Sequence, residues 1–272
     1  MKKIISISLI IILHFISIGS FAQQLPDDWR LTKKTWVHPG EGKMEWIYSY
    51  DATGKITAIK YYQNKKLHST QRAFVYDSQN RISRYQESLT KGAPTEHLFS
   101  YDDKNRLLSV KEKMSRDNGK QDILTRTFSY TNNEIKESKS FNSARYGEQP
   151  ASEITYELDG TGNMVRKTTI EDGEKIAQPE NIFIYGEYDN KPNPLIFTGA
   201  YFYTELASKQ NGKEGYSETL EKYKPSKTIF TYSPSGMLQN AAVTYMLDNR
   251  GYTHKFTYTY AKIKSAIKTV VK

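Results

Sequence analysis

Cysteine is absent from all 272 residues. That excludes disulfides, thiolate metal sites and a lipid-modified N-terminal cysteine, so the product is not expected to be a lipoprotein. Histidine is scarce: beyond His14, the remaining four, His38, His68, His97 and His254, are scattered and form no pair at ligand spacing. No His-Glu-x-x-His, no nucleophile-elbow Gly-x-Ser-x-Gly and no phosphate-cradling glycine loop occurs, so the recognisable zinc, hydrolase and nucleotide constellations are missing. The expectation is a non-enzyme with no catalytic, metal or cofactor-binding residues. Glu96 with His97, and Asp172 with Glu174, are the acid-containing pairs from which a site could be assembled, but solvated turn and strand charges explain them better.

Long hydrophobic runs are as rare as cysteine, and the one that exists is N-terminal. Met1-Lys2-Lys3 precedes an apolar stretch from Ile4 to Ile18, which ends in Gly19-Ser20-Phe21-Ala22 before Gln23. A basic start, an apolar middle and small residues at 20 and 22 match an export signal cleaved after Ala22. The run is too short to span about 20 residues of bilayer core comfortably. Residues 1–22 are therefore expected to be a signal peptide and 23–272 a single exported domain, periplasmic or extracellular. The signal carries two lysines and no acid, so its removal lowers the net charge from +9 to +7. The basic residues are spread through the chain instead of forming one block, as they are when they solubilise sheet faces. No nucleic-acid partner is expected, and the candidate partners are polysaccharide or another envelope component.

What is abundant is aromatic: 21 Tyr and 11 Phe. Many fall in pairs two apart, as Tyr48-x-Tyr50, Phe74-x-Tyr76, Phe99-x-Tyr101, Phe128-x-Tyr130 and Phe230-x-Tyr232, with Tyr156-x-Leu158 and Tyr245-x-Leu247 as weaker copies. A spacing of two puts both side chains on one face of a strand. Four positions beyond the second residue of the pair stand Gly54, Asn80, Asn105, Gly162, Gly236 and Gly251, and Asp51, Asp77, Asp102, Asp159 and Asp248 open the same segments. In the fourth copy Asn133 comes one residue early. Asp followed by Gly or Asn three residues later describes a type I turn closed by a left-handed residue, a common hairpin loop. A calcium loop would need several carboxylates converging in one loop, whereas most of these turns supply one acid followed by Lys or Arg.

The interval between copies is 25 to 29 residues over the first five, so one repeat is one long hairpin. A lone hairpin is unstable in water and a sheet of many strands curls. The expected fold is all-β: an up-and-down antiparallel meander curled into a barrel-like shell. The pattern breaks between Ile182 and Lys227, where Pro192 and Pro194 end regular pairing, and an irregular cap or insertion is expected over about 186–226.

Tyr76-Asp77-Ser78-Gln79-Asn80-Arg81-Ile82 and Tyr101-Asp102-Asp103-Lys104-Asn105-Arg106-Leu107 resemble the YD repeats of Rhs-type bacterial surface and toxin proteins. The layout of signal, degenerate copies and a late Tyr188-Asp189-Asn190-Lys191-Pro192-Asn193-Pro194 is similar to an uncharacterised exported domain family of Bacteroidetes with a porin-like fold. The resemblance spans most of residues 44 to 261, with departures at Thr131, Leu158, Ser233 and Leu247. It implies a curled sheet or barrel, and it implies no activity and no site residues, so the ligand-binding residues stay unknown at this point.

The functional expectation is an exported non-catalytic binding or scaffold protein of the cell envelope, with glycan or apolar ligands on its aromatic surfaces. Trp29, Trp36 and Trp46 are the rings suited to stacking. The alternative is an outer-membrane β-barrel pore. Against it stands the lack of an unbroken apolar face: in Asp122 to Tyr130 one face carries Asp122 and Arg126 and the other is largely Thr and Ser. The mean hydropathy of −0.70 points the same way.

Overall fold

The repeated turn dictates the architecture. In this computed structural model, which describes residues 29–90, 92–116, 119–170, 182–185, 188–192, 210–212, 214–217, 224–247 and 250–263, Asp102 builds the corner with its backbone and its side chain. Its carbonyl accepts from Asn105 N–H at 3.1 Å, and its N–H donates to the Arg106 carbonyl at 2.9 Å. Its Oδ1 accepts from the N–H groups of Lys104 and Arg106 at 2.9 and 2.8 Å, and its Oδ2 takes the Arg106 guanidinium at 2.7 Å. Asn105 sits at φ 63°, the left-handed conformation that Asn tolerates and most residues avoid. The same side-chain pattern recurs at Asp51, Asp77 and Asp159, with Gly54, Asn80 and Gly162 in the left-handed place. Ser233 Oγ takes the place of the carboxylate ahead of Gly236.

One copy departs from expectation. Gly251 does not close a corner but pairs with Met246 inside a ladder, because the chain reverses between Leu247 and Arg250, which are themselves paired. That reversal belongs to the opposite end of the sheet, where two-residue loops such as Asn64-Lys65 also sit.

The strands are β1 (Trp29–His38), β2 (Gly42–Tyr50), β3 (Ile56–Gln63), β4 (Lys66–Tyr76), β5 (Ile82–Leu89), β6 (Thr95–Tyr101), β7 (Leu107–Ser115), β8 (Gln121–Tyr130) and β9 (Glu134–Ser143). They continue as β10 (Gly147–Leu158), β11 (Met164–Ile170), β12 (Ile182–Tyr185), β13 (Tyr188–Pro192), β14 (Gln210–Gly212), β15 (Glu214–Ser217), β16 (Lys224–Tyr232), β17 (Leu238–Leu247) and β18 (Arg250–Lys262). Successive strands pair antiparallel, β12 pairs β15 across the insertion, and β1 pairs β18, closing a barrel of sixteen strands among the described residues. The insertion is narrower than expected from the prolines. Its described part is the separate two-stranded β13–β14 sheet, whereas β15 and the first residues of β16, within the predicted 186–226, already belong to the wall. The predicted signal segment 1–22, Asp172 and Glu174 lie outside the described residues.

The period of two sorts the wall into an inner and an outer face. Tyr48, Ile59, Tyr85, Val110, Phe128, Ile135 and Ile154 point inward and are buried, together with Leu31, Ile56, Ile82 and Leu107 near the corners. Each such side chain contributes about 1.5–3 kcal/mol through burial. All but Ile154 belong to two clusters at the corner end of the lumen, one over β1–β5 with Met237 and one over β7–β9.

Between the hairpins runs a tyrosine ladder. Tyr50 Oη donates to the Leu31 carbonyl at 2.6 Å, Tyr76 to Ile56 at 3.1 Å, Tyr101 to Ile82 at 2.7 Å, Tyr130 to Leu107 at 2.8 Å and Tyr260 to Leu238 at 2.8 Å. Tyr188 donates to Met164 in the same way. At three corners the cation that follows stacks on the next rung: Arg81 lies 4.4 Å from the Tyr101 ring centroid, Arg106 4.6 Å from Tyr130, and Lys55 5.1 Å from Tyr76.

The outer face is polar. Lys33 and Lys43 pair with Glu45, Arg84 and Lys113 with Glu96, Lys136 with Glu134, and Arg166 with Glu157. Exposed Val37, Ile47, Val75, Leu108 and Ile229 are dispersed among these charges.

Two outcomes follow from the corner and the ladder. Tyr101→Phe leaves the Ile82 carbonyl without its donor and should cost about 1–2 kcal/mol in urea denaturation. Asn105→Ala should cost about 1 kcal/mol more than Asn105→Gly, because both lose the acceptor for Arg81 but only the former is strained at that φ. Burial holds the ladder phenols up, to about 12 at Tyr76 and Tyr101. A raised folded-state pKa favours the folded state fully below the unfolded value near 10, and that contribution is lost as pH rises through the folded value. Tyrosinate absorbance should therefore develop in two stages, the second, between about pH 10 and 12, coinciding with loss of β-sheet circular dichroism; a single stage near pH 10 with the sheet intact would contradict the ladder.

Candidate ligand site in the barrel lumen

The aromatic clusters occupy the corner end only, and farther up the lumen the inward positions change character. On β18, β1, β2 and β3 they remain ring-bearing. Trp36 stacks on Phe256 with centroids 5.7 Å apart and planes 12° apart, and Trp46 stacks on Tyr61 at 5.0 Å and 24°. Lys34, opposite Trp46 in the ladder, holds its ammonium 5.1 Å from the Trp46 centroid. His254 lies 5.5 Å from Trp36 and 4.6 Å from His38. His38 Nδ1 accepts from the N–H groups of Gly40 and Glu41, both at 3.0 Å, which assigns the proton of its neutral ring to Nε2. Burial, reinforced by the neighbouring His38, lowers the His254 pKa. Trp36 and Trp46 are only partly buried, so part of each ring's surface remains accessible.

On β5 and β6 the inward side chains become polar. His97 is buried and stacks on Tyr85 at 4.4 Å, with Glu87 Oε2 3.6 Å from its Nε2. The adjacent His97 ring, with smaller help from Ser69 and Gln71, outweighs burial and lowers the Glu87 pKa. Glu96, adjacent in sequence and grouped with His97 as a candidate, points outward to Arg84 and Lys113. Alternation along β6 separates the two, so they do not form one site.

The charged wall lies on β7 to β11. Glu137 is 2% exposed, and its Oε2 accepts from Tyr156 Oη at 2.7 Å. Its Oε1 lies 3.6 Å from Arg126 Nη1 and 3.8 Å from Lys139 Nζ, and Arg126 Nη2 reaches Glu112 Oε1 at 3.4 Å. Lys167, opposite Tyr156 in the ladder, has its pKa lowered by burial and by Lys139, with Glu137 acting the other way. Nearer the rim, buried Asp122 holds Arg116 and accepts from Ala144 N–H at 2.8 Å. Among the described residues no group of three His, Asp or Glu side chains is placed to hold a metal.

This wall also marks a break in the ladder. At the rung position of the fifth hairpin stands Leu158, which has no hydroxyl, and the ring two residues earlier, Tyr156, turns its hydroxyl to Glu137. The sequence carried the signal. Asp122 and Arg126 share a face with Phe128 and Tyr130, so the charges belong to the aromatic, inward side; it takes pairing across β8 and β9 to bring Glu137 and Lys139 beside them.

Glu137→Gln keeps an acceptor for Tyr156 but leaves Arg126 and Lys139 facing each other without their carboxylate, and should cost about 3 kcal/mol. Adding Lys139→Gln should restore part of that loss, as a double-mutant cycle in urea would read.

No protein-family model and no curated protein matches the chain. Its fold is similar to that of two solved structures. One is a porin-like protein from Bacteroides uniformis, 15% identical, with 85% of this chain and 98% of that chain covered and a TM-score of 0.54. The other is a porin-like protein from Bacteroides vulgatus, 12% identical, with 86% and 99% covered and a TM-score of 0.55.

Proposed function

We propose that the chain is an exported, non-catalytic binding protein of the cell envelope that holds its ligand inside the lumen, above the corner-end core. The observation that carries this reading is the inversion of the barrel. Rings partly open to solvent, Trp36, Trp46, Tyr61 and Phe256, line the inside, while the outside carries ion pairs around Glu45 and Glu96. Indole and phenol faces in a concave site suit sugar rings and other apolar faces.

The second reading, an outer-membrane pore, draws support from the closed wall of sixteen strands and from the porin-like neighbours. The outward charges weigh against it, since lysine or arginine facing lipid at the bilayer midplane costs about 2–4 kcal/mol each. Envelope fractionation with a carbonate wash distinguishes the two: release into the wash is expected, and retention in the outer membrane would favour the pore.

Binding itself is read from tryptophan fluorescence. Titration with neutral and acidic oligosaccharides and with a long-chain fatty acid should find a ligand that shifts the emission. Trp36→Ala and Trp46→Ala should each weaken that ligand about tenfold, or 1.4 kcal/mol.

A further inference from the structure

We infer that the lumen ligand is an acidic oligosaccharide several sugar units long, its carboxylates held by the wall of Arg126, Lys139 and Lys167. The inference rests on the lumen-binding reading above and adds the charge and length of the occupant.

The charge follows from the ion pairs. The inward cations of this wall outnumber its carboxylates. Glu137 divides one carboxylate between Arg126, Lys139 and the Tyr156 hydroxyl, and Glu112 pairs with Arg126 again. Lys167 has no carboxylate in ion-pair range among the described residues; the like charge of Lys139 acts on it together with burial, and the more weakly felt Glu137 opposes them. A half-buried ammonium beside a second one is an uncomfortable arrangement that an incoming anion relieves. The Arg126 and Lys139 side chains are 19% and 29% exposed, and since both face inward, what they are exposed to is the lumen.

The length follows from the strand order. Counting round the wall from β1 through β18, the ninth strand reached is β9, so the Trp36 and Trp46 rings stand half-way round from Lys139. Sixteen strands about 4.8 Å apart and tilted about 40° enclose a circle roughly 30 Å across, which inward side chains narrow to roughly 20 Å. One small sugar cannot touch both walls. A chain of sugars that stacks a ring on Trp36 or Trp46 and presents carboxylates at the far side can.

The test uses the full mature chain and two probes, a hexamer of galacturonic acid and the same hexamer fully methyl-esterified, in calorimetric titrations at low and high salt. The acid hexamer should bind at least tenfold more tightly than the ester and weaken as salt rises. Lys167→Gln removes a cation that no ion pair uses, so the fold is retained. It should weaken the acid hexamer about tenfold without changing the ester, and Lys167→Arg should restore binding. Equal binding of the two hexamers would overturn the charge assignment and leave the lumen-binding reading intact, as would acid-hexamer binding untouched by Lys167→Gln. Binding of a long-chain fatty acid and neither hexamer would overturn the saccharide class alone. No binding of any of the three would overturn this inference together with the lumen-binding reading.

Discussion

The hydrogen bond from a tyrosine hydroxyl to the carbonyl just beyond the preceding corner is the constraint on which the barrel depends. Backbone pairing holds neighbouring strands together, but it would also permit a slipped register or a differently curved sheet. The Tyr101 hydroxyl donates to the Ile82 carbonyl at 2.7 Å, and the corner at Asp77 sets Arg81 against the face of the same ring. The hairpins ending in Tyr76, Tyr101 and Tyr130 are therefore each keyed to the one before through a donor, an acceptor and a cation. Arg81 extends the key by donating to Asn105 Oδ1 in the next corner at 2.8 Å. Closure uses the same device: Tyr260 reaches Leu238, Tyr50 reaches Leu31, and Arg30 Nε donates to the Gly54 carbonyl at 3.1 Å.

This arrangement concentrates apolar burial at one end. Every rung lies near a corner, so the rings pack there, and the two clusters fill the lumen from that side. The upper inward positions are then released from the work of folding. They can carry Lys34, Glu87, Glu112, Arg126 and Lys167, which a filled β-barrel core would exclude because unpaired charge is costly to bury. The same division explains the acid sensitivity built into the corners. Burial alone would raise the carboxyl pKa of Asp77 and Asp102, and the hydrogen bonds from Arg81 and Arg106 outweigh it, so both stand below the ordinary carboxylate value. Their contribution to stability is present above the unfolded carboxylate pKa near 4 and is lost as pH falls through the folded value.

The corners were legible in the sequence because their chemistry is local: Asp102 and Asn105 act within five residues, and Phe99-x-Tyr101 announces a strand face. The reason most copies end in tyrosine was not legible, since the acceptor lies 19 to 24 residues away and is a backbone atom with no sequence signature. Gly251 misled for a related reason. Its spacing from Leu247 matches a corner, but the strand pairing that places it in a ladder is not written in the local residues. The lumen site was half visible. Trp36 and Trp46 stood out as ring faces, whereas Glu137 and Lys139 read as ordinary strand charges until β8 and β9 placed them beside Arg126.

On the binding-protein reading proposed above, a barrel with charge outside and rings inside has its outer surface in water, and detergent dependence tests this most directly. Sedimentation velocity of the mature chain in detergent-free buffer, with far-ultraviolet circular dichroism on the same sample, should show one monodisperse β-rich species. A chain that aggregates in buffer and acquires β structure only in detergent micelles would contradict a water-facing wall, and with it the assignment of the aromatic face to the lumen.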